Sequence, residues 1–266
     1  RGDAALVYVF SNLQQPSGGF TGSTGHGATY FPTEEISWAV KYTLDAVSAV
    51  SLSHFSRATV VNSFPDVVSL EDPRVRALAQ VVNIVALEDS SFDVKILDVG
   101  CGKGRFSGAI KALHAMSSMA ARGLNLHGVD IAPPLLAQAE SRQHIDNAVQ
   151  ASATALPFSP GFFDIVFAVE SLEHVIHTNA SIADIGRVLR PGGYIVVIDK
   201  TIDDPLRRHE LWDLEKWERW FGAQEMVEAL KVHGGFTSVQ SKPISGLDDG
   251  LFVAWVGRKA ISQNIN

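Results

Sequence analysis

Three glycines in the stretch KILDVGCGKGRF (95–106) have the type and spacing of a ligand-binding turn. Gly100, Gly102 and Gly104 follow a short hydrophobic run, and glycine lets the backbone take positive φ and approach a ligand closely. The run ends at Asp98, and a second acid, Asp130, ends the later run LHGVD. A carboxylate beside the turn would repel a pyrophosphate but suits a cationic amino-acid end, whereas Asp130 suits ribose hydroxyls. The glycine pattern taken alone also fits a plain strand-to-helix turn.

The stretch ESLEHVIH supplies side chains for acid–base chemistry. His174 lies just after a predicted strand, where it can face a cleft, and imidazole is a suitable general base near neutral pH. A structural hydrogen bond at a helix start is an equally good interpretation. Glu173, His174 and His177 also have the spacing of metal ligands on one helix face. A solvated helix face is the favoured interpretation, and no metal is predicted.

Other segments carry side chains that could contact an acceptor molecule. In LRRHELWDLEKWERWF (206–221), Trp217 belongs either to a packed helix, which we favour, or to an aromatic wall over the acceptor. The loop GGFTGSTGHGATYF is either a disordered surface or a lid that brings His26 and Tyr30 to the acceptor. Asp199, near the end of YIVVIDK with Lys200, is a further candidate, with a surface ion pair or loop as the alternative.

Strands and helices are predicted to alternate after residue 90. The runs VKILDV, NLHGVD, FFDIVFAV and YIVVIDK have the composition of buried parallel strands, with helical segments between them. The final runs, FTSVQS and GLFVAWVGRK, are joined without a helix, which indicates an antiparallel edge. Earlier segments predict a short strand over 4–10, a mobile loop over 14–32, a helix from Thr33 and a second helix from Pro73 to about Leu87.

The composition is that of an ordinary globular chain, with 46% hydrophobic and 19% charged residues in a length of 266. A net charge of −7 argues against a broad surface for nucleic acid. A single cysteine, Cys101, excludes an internal disulfide and fits a reducing compartment. No apolar run approaches the roughly 20 residues that cross a bilayer, and there is no leader-like segment, so a cytoplasmic protein without a membrane span is expected.

Four motifs in order resemble those of the class I S-adenosylmethionine-dependent methyltransferases over roughly residues 91–259: ILDVGCGKG, LHGVDI, ASATALPFSPGFFDIVFAV and IGRVLRPGGYIVVIDK. The resemblance implies S-adenosylmethionine as the cofactor and a doubly wound α/β sheet of seven strands in the order 3-2-1-4-5-7-6, with an antiparallel edge. It implies that Glu170 lies on the floor between cofactor and acceptor. Relatives often carry Gly-Asp-Ala before LPF, whereas Ser152 stands here between two alanines and can still donate a hydrogen bond. The cofactor-binding residues that the resemblance implies are Asp98, Gly100, Cys101, Gly102, Gly104, Asp130, Ile131, Ser152, Ala153, Thr154, Leu156 and Glu170.

The sequence therefore predicts transfer of a methyl group to a small-molecule acceptor, with a hydroxyl oxygen as the expected atom. His174 and Glu170 are the predicted catalytic residues, and the acceptor side is predicted to include His26, Tyr30, Asp199 and Trp217. Methylation at carbon or nitrogen stays open, as does a non-catalytic cofactor-binding protein of the same fold. A nicotinamide-dependent oxidoreductase is disfavoured because the fingerprint GxGxxG is missing.

The expected domain organisation has three parts. Residues 1–90 form a mostly helical extension, which either caps the cleft or docks a partner. Residues 91–259 form the cofactor-binding domain, and residues 260–266 form a tail.

Overall fold

The computed structural model describes residues 46, 49–88, 93–202, 218–247 and 251–261. The strands are β1 (Val94–Val99), β2 (Leu124–Asp130), β3 (Asn147–Gln150), β4 (Phe163–Val169), β5 (Leu189–Lys200), β6 (Phe236–Pro243) and β7 (Phe252–Lys259). The helices are α1 (Ala58–Ser63), α2 (Pro73–Glu88), α3 (Arg105–Ala115), α4 (Pro133–Ser141), α5 (Thr178–Val188) and α6 (Ala223–Gly234), together with a single 3₁₀ turn (Leu172–His174) and helical residues 49–55.

The strands form one seven-stranded sheet with the order β3-β2-β1-β4-β5-β7-β6, which confirms the predicted fold class. Strands β1 to β5 run parallel, and β7 runs antiparallel to both β5 and β6. The chain passes from β1 outward to β2 and β3 and then crosses to β4, so the strand order reverses between β1 and β4. Ligands of such sheets bind beyond the carboxyl ends of the strands at this reversal, where Asp98, Asp130 and Glu170 lie.

Apolar side chains cover both faces of the sheet, as a parallel sheet packed between helices requires. Adjacent residues of β1 belong to different core clusters because successive side chains of a strand point to opposite faces. Leu97 packs in a cluster with Ile182 of α5 and Leu230 of α6, whereas Ile96 packs in a cluster with Leu78 of α2. The carboxyl edge of the sheet is thereby held rigidly between two helical layers.

The predicted elements after residue 72 that the structure describes are found with small changes at their ends, except that residues 218–221, at the end of the segment for which a packed helix was favoured, are not helical. The helix beginning at Pro73 ends at Glu88, and the final antiparallel pair is β6 with β7. Strand β5 begins earlier than predicted, at Leu189, because Leu189 already pairs with Phe163 of β4. The RPGG segment lies in the register shift before Tyr194 pairs with Ile165. Strand β3 was not located from its residues, and it is a four-residue edge strand without fully buried positions.

None of the described helices combines the length and apolar character that a bilayer crossing requires. The predictions for residues 4–10 and 14–32 and for the helix start at Thr33 lie outside the described residues. The described part of the extension is helical over 49–55 and in α1 and α2.

Candidate active site

The glycine turn after β1 is fixed by backbone hydrogen bonds to the neighbouring strand. The N–H groups of Gly100 and Cys101 donate to the carbonyl of Val129 at 2.8 and 3.0 Å, and Gly104 N–H donates to the Cys101 carbonyl at 2.8 Å. All three glycines have positive φ, between 52° and 70°. A Cβ at Gly100 would lie 2.5 Å from the Cβ of Ser171, whereas a Cβ at Gly102 would meet no atom within 4 Å. Gly100 is therefore needed for packing, while Gly102 borders open space.

Asp130, at the end of β2, links that strand to the glycine turn. Its Oδ2 accepts a hydrogen bond from Gly102 N–H at 2.8 Å, and its Oδ1 accepts one from Ala132 N–H at 2.9 Å. Burial raises the pKa of this carboxyl group, and the two backbone N–H donors partly oppose that increase. Each carboxylate oxygen has further acceptor capacity, so the group can also accept hydrogen bonds from vicinal hydroxyls.

Asp98 is a buried acid beside the turn, with 3% of its surface exposed. Ser107 Oγ donates to its Oδ2 at 2.7 Å, and its Oδ1 accepts no hydrogen bond within the described part of the chain. The pKa of Asp98 is raised to about 7, mainly by burial and also by the nearby Asp130, against the opposing effects of Ser107 and Arg105. A cationic ligand group placed here would favour the ionised carboxylate.

A cavity of about 1220 Å³ opens beyond the carboxyl ends of β1, β2, β4 and β5. It is large enough for a nucleoside-sized ligand together with a second small molecule. The predicted cofactor residues that line it are Asp98, Gly100, Cys101, Gly102, Asp130, Ile131, Ser152, Ala153, Thr154 and Glu170, and the predicted base His174 lines it as well.

The remaining predicted site residues lie elsewhere or outside the described chain. Gly104 is the N-cap of α3, and Leu156 is a core residue whose N–H donates to Asp184 at 2.6 Å. Asp199 is fully buried beneath the site, where its Oδ1 accepts a hydrogen bond from Ser171 N–H at 3.0 Å. The structure does not describe His26, Tyr30 and Trp217, so their placement stays a prediction.

Glu170 forms ion pairs that the sequence did not reveal. Its backbone has a φ of 51°, which turns the chain sharply at the end of β4. Its Oε1 accepts hydrogen bonds from Arg74 of α2 and from Arg105 of α3, the latter at 2.8 Å. Asp72 also binds Arg74, through Nε at 3.0 Å and Nη2 at 2.7 Å. Glu170 is thus an ion-paired carboxylate between two guanidinium groups.

A second charged network lies at the opposite side of the cavity. The ammonium of Lys200 lies 3.1 Å from Glu173 Oε1 and 2.5 Å from Glu218 Oε2. Trp220 Nε1 donates to the other oxygen of Glu218 at 3.0 Å. His174 Nε2 lies 3.6 Å from Glu173 Oε1. Burial raises the pKa of Glu173, whereas His174 and Lys200 lower it.

The same network bears on metal binding. Glu173, His174 and Glu218 are described residues whose possible ligand atoms lie within 4.8 Å of one another, a set that differs from the predicted spacing because Glu218 stands in place of His177. However, both carboxylates already contact the Lys200 ammonium, which offsets part of their negative charge. We therefore interpret these side chains as an ion-pair network around Lys200.

The extension contacts the cavity walls at several points. Lys103, inside the glycine turn, donates from Nζ to the Phe64 carbonyl at 2.8 Å and to Asp66 at 2.7 Å. The ring of Phe55 meets the ring of His174 edge-on, with 5.1 Å between centroids. The described extension therefore packs against both the turn and the predicted base.

A doubly wound sheet of this order, with a glycine turn after β1 and acids ending β1 and β2, defines the class I S-adenosylmethionine-dependent methyltransferase fold. Residues 97–197 match the family model described as a methyltransferase domain. This match confirms the predicted family resemblance over that part of the chain.

Particular relatives match over parts of their length. An O-methyltransferase of Pyrenophora dematioidea is 29% identical over 137 residues, which are 52% of this chain and 50% of that protein. A ubiquinone biosynthesis O-methyltransferase of Idiomarina loihiensis is 38% identical over 112 residues, which are 40% of this chain and 42% of that protein. The chain thus spans about half the length of these curated relatives.

Among solved structures, phosphoethanolamine N-methyltransferase 2 of Haemonchus contortus, in complex with S-adenosyl-L-methionine, superposes with a TM-score of 0.55. Its sequence is 16% identical, and the match covers 79% of this chain and 60% of that one. At this level of identity the likeness concerns the fold.

Proposed function

We propose that this chain binds S-adenosylmethionine and transfers its methyl group to a hydroxyl oxygen of a small-molecule acceptor. The observation that carries the proposal is the convergence of Asp98, the glycine turn, Asp130 and His174 on one cavity. The domain class supports the cofactor. Both curated relatives named above are O-methyltransferases, which supports oxygen as the methylated atom.

The cofactor's parts have matching partners along the cavity wall. Asp98 is suited to the ammonium of the amino-acid end, because an ammonium would compensate the buried charge of the ionised carboxylate. Gly102 borders open space, so the backbone can lie against the ligand without a side chain between them. Asp130 accepts from the ribose hydroxyls, Ile131 packs on the adenine, and the segment Ser152–Thr154 contacts the adenine edge.

The acceptor lies toward His174 and the charged network around Lys200. The cofactor supplies an activated sulfonium methyl group, so the protein mainly has to align the acceptor oxygen with it. His174 accepts the proton of the acceptor hydroxyl, and Glu173 stabilises the imidazolium that results, because its carboxylate lies 3.6 Å from Nε2. Glu170 lies on the floor of the site, where it holds the two arginine side chains instead of exchanging protons. Asp199 supports this floor from below through the Ser171 N–H.

Two alternatives remain under this proposal. A carbon or nitrogen acceptor would need less help from His174, because a carbanion or an unprotonated amine has no hydroxyl proton to lose. A non-catalytic cofactor-binding protein would keep Asp98 and Asp130 but transfer no methyl group. We also propose that residues 1–90 cap the cleft of a domain that spans residues 91–259, in the cytoplasm.

The test is a pair of measurements on the purified chain. Isothermal titration with S-adenosylmethionine, S-adenosylhomocysteine and NADH should show binding of the first two compounds only. Transfer of a labelled methyl group is then measured with panels of phenols, aliphatic alcohols and amines, using wild-type protein and His174→Ala. We expect transfer to hydroxyl compounds that His174→Ala reduces without changing cofactor affinity.

Other outcomes would change the proposal. Transfer confined to amines would refute the oxygen assignment. Tight cofactor binding without transfer to any panel member would favour the non-catalytic alternative. Binding of NADH instead of the adenosyl compounds would reject the whole assignment.

A further inference from the structure

Basic side chains at the cavity differ in how fully they are paired. Within the described chain, the lysines and arginines that line it are Lys103, Arg105 and Lys200. Lys103 donates to Phe64 and Asp66, and Lys200 lies between two carboxylates. Both ammonium groups therefore already have anionic partners. Arg105 has a larger donor capacity than either lysine, because a guanidinium carries five N–H groups.

Arg105 uses little of that capacity on the protein. Its Nη2 donates to Glu170 Oε1 at 2.8 Å, and its guanidinium lies over the ring of Phe106, with Cζ 4.7 Å from the centroid. Its Nε and Nη1 groups make no hydrogen bond with any residue that the structure describes. The side chain lines the cavity and is 19% exposed, so these donors have little competition from bulk water.

The neighbours of Arg105 leave its positive charge available. Glu170, its direct partner, is also bound by Arg74, which offsets the negative charge of Glu170. Arg74 is in turn fixed by Asp72 at 2.7 Å and is almost fully buried. The two arginines, Glu170 and Asp72 together are neutral, so an anion that approaches Arg105 meets no uncompensated negative charge from this cluster.

Arg105 also lies close to the acid that the proposed function assigns to the cofactor ammonium. Arg105 follows the glycine turn directly as the first residue of α3, and Asp98 precedes the same turn. The charge of Arg105 favours the ionised form of Asp98, as expected for groups that lie near each other. An acid and a guanidinium on either side of one turn match the ammonium and the carboxylate that an α-amino acid carries on a single carbon.

We propose that Arg105 binds the carboxylate of the cofactor's amino-acid end, while Glu170 and Arg74 hold its guanidinium in place. This inference rests on the proposed function, because it takes S-adenosylmethionine as the ligand. Arg105 is then a cofactor-binding residue, and Glu170 is a positioning residue that acts through Arg105.

The test compares ligands that differ only in the carboxylate. The affinities of S-adenosylmethionine and of decarboxylated S-adenosylmethionine are measured by isothermal titration. Wild-type protein should prefer the carboxylated compound by about tenfold to a hundredfold, the usual size of a charge-assisted pair. In Arg105→Gln this preference should fall to nearly one, with the affinity for the decarboxylated compound almost unchanged.

Two further variants separate binding from structural effects. Arg105→Lys keeps the positive charge but not the paired N–H donors of the guanidinium. It should therefore retain part of the preference for the carboxylated compound that Arg105→Gln loses. Arg190→Gln removes a guanidinium that is paired with Asp164 at 2.6 Å and does not line the cavity, so it should leave the preference intact.

The outcomes are distinguishable. Equal weakening of both ligands in Arg105→Gln would overturn the inference, because the arginine would then serve only the packing around Glu170. A wild-type protein that binds both compounds equally would also overturn it while leaving the proposed function standing. Binding of neither compound by the wild type would overturn the proposed function and this inference together.

Discussion

Raising the pH from 5.5 to 7.0 should strengthen binding of S-adenosylmethionine, because Asp98 must lose a proton to receive the cofactor ammonium. In the unliganded protein burial raises the pKa of Asp98 to about 7, far above the range of an exposed aspartate. A bound ammonium beside the carboxylate would lower this pKa again. The protonated acid therefore competes with the cofactor, and affinity increases as pH rises toward and through about 7.

The magnitude follows from the ionised fraction of Asp98. With a pKa of about 7, that fraction rises from about 3% at pH 5.5 to about 50% at pH 7.0, so affinity should increase about fifteenfold. At pH 6.0 binding should release about 0.9 proton, because about nine molecules in ten carry a protonated Asp98 at that pH. Asp130, whose pKa burial also raises, would add to the release if it loses a proton on binding.

Isothermal titration in two buffers of different ionisation enthalpy measures both the affinity and the proton release. Asp98→Asn should abolish most of the pH dependence. 5′-Methylthioadenosine, which lacks the amino-acid end, should bind with no comparable increase. An affinity for S-adenosylmethionine that is flat between pH 5.5 and 7.0, or an unchanged slope in Asp98→Asn, would refute the assigned role of Asp98.

Two other predictions concern the turn and the network. Gly100→Ala should destabilise the fold strongly, because the new Cβ would lie 2.5 Å from the Cβ of Ser171. Gly102→Ala should cost only about 1–2 kcal/mol of stability, because alanine is strained in the left-handed backbone conformation, and it should mainly weaken cofactor binding. Urea denaturation compares the stability of the two glycine variants, and isothermal titration compares their cofactor affinity. Equal losses of stability would contradict the packing argument. Lys200→Met should destabilise by about 3 kcal/mol at pH 8 and by less at pH 5.5, because burial raises the pKa of Glu173, whose carboxylate loses its Lys200 partner and can take up a proton at the lower pH. Urea denaturation at both pH values, with Lys200→Arg as the control, measures this loss of stability. A loss that is the same at pH 8 and pH 5.5 would contradict the prediction.

Local patterns accounted for the central part of the fold. The turn after β1 was predicted because glycines that take positive φ follow directly on a buried strand, so the whole signal lies within about ten residues. The antiparallel edge followed from two strands without a helix between them, and β6 with β7 confirms it. Strand β3 was missed because a short, half-exposed edge strand has neither the apolar run nor the alternation that identifies a strand.

Contacts between distant segments could not be predicted in the same way. Arg74 and Glu170 are 96 residues apart, and Lys200 and Glu218 are 18 apart across residues that the structure leaves undescribed. A basic residue on a helix is usually solvated, so no local pattern predicted a buried ion pair for Arg74. The position of Arg105 directly after the glycine turn could have marked it as a candidate site residue. The orientation of its side chain, however, depends on Glu170.

The same contacts decide how the boundary near residue 90 should be understood. The sequence pattern changes there from irregular to alternating strands and helices, which suggested an extension separable from the cofactor domain. However, Lys103 in the glycine turn is held by Phe64 and Asp66, and Glu170 is held by Arg74, all from before that boundary. A pure docking module could be removed without loss of cofactor affinity. Removal of these residues would instead expose Lys103 and leave Glu170 with one of its two guanidinium partners, so we infer that the extension is part of the cofactor site.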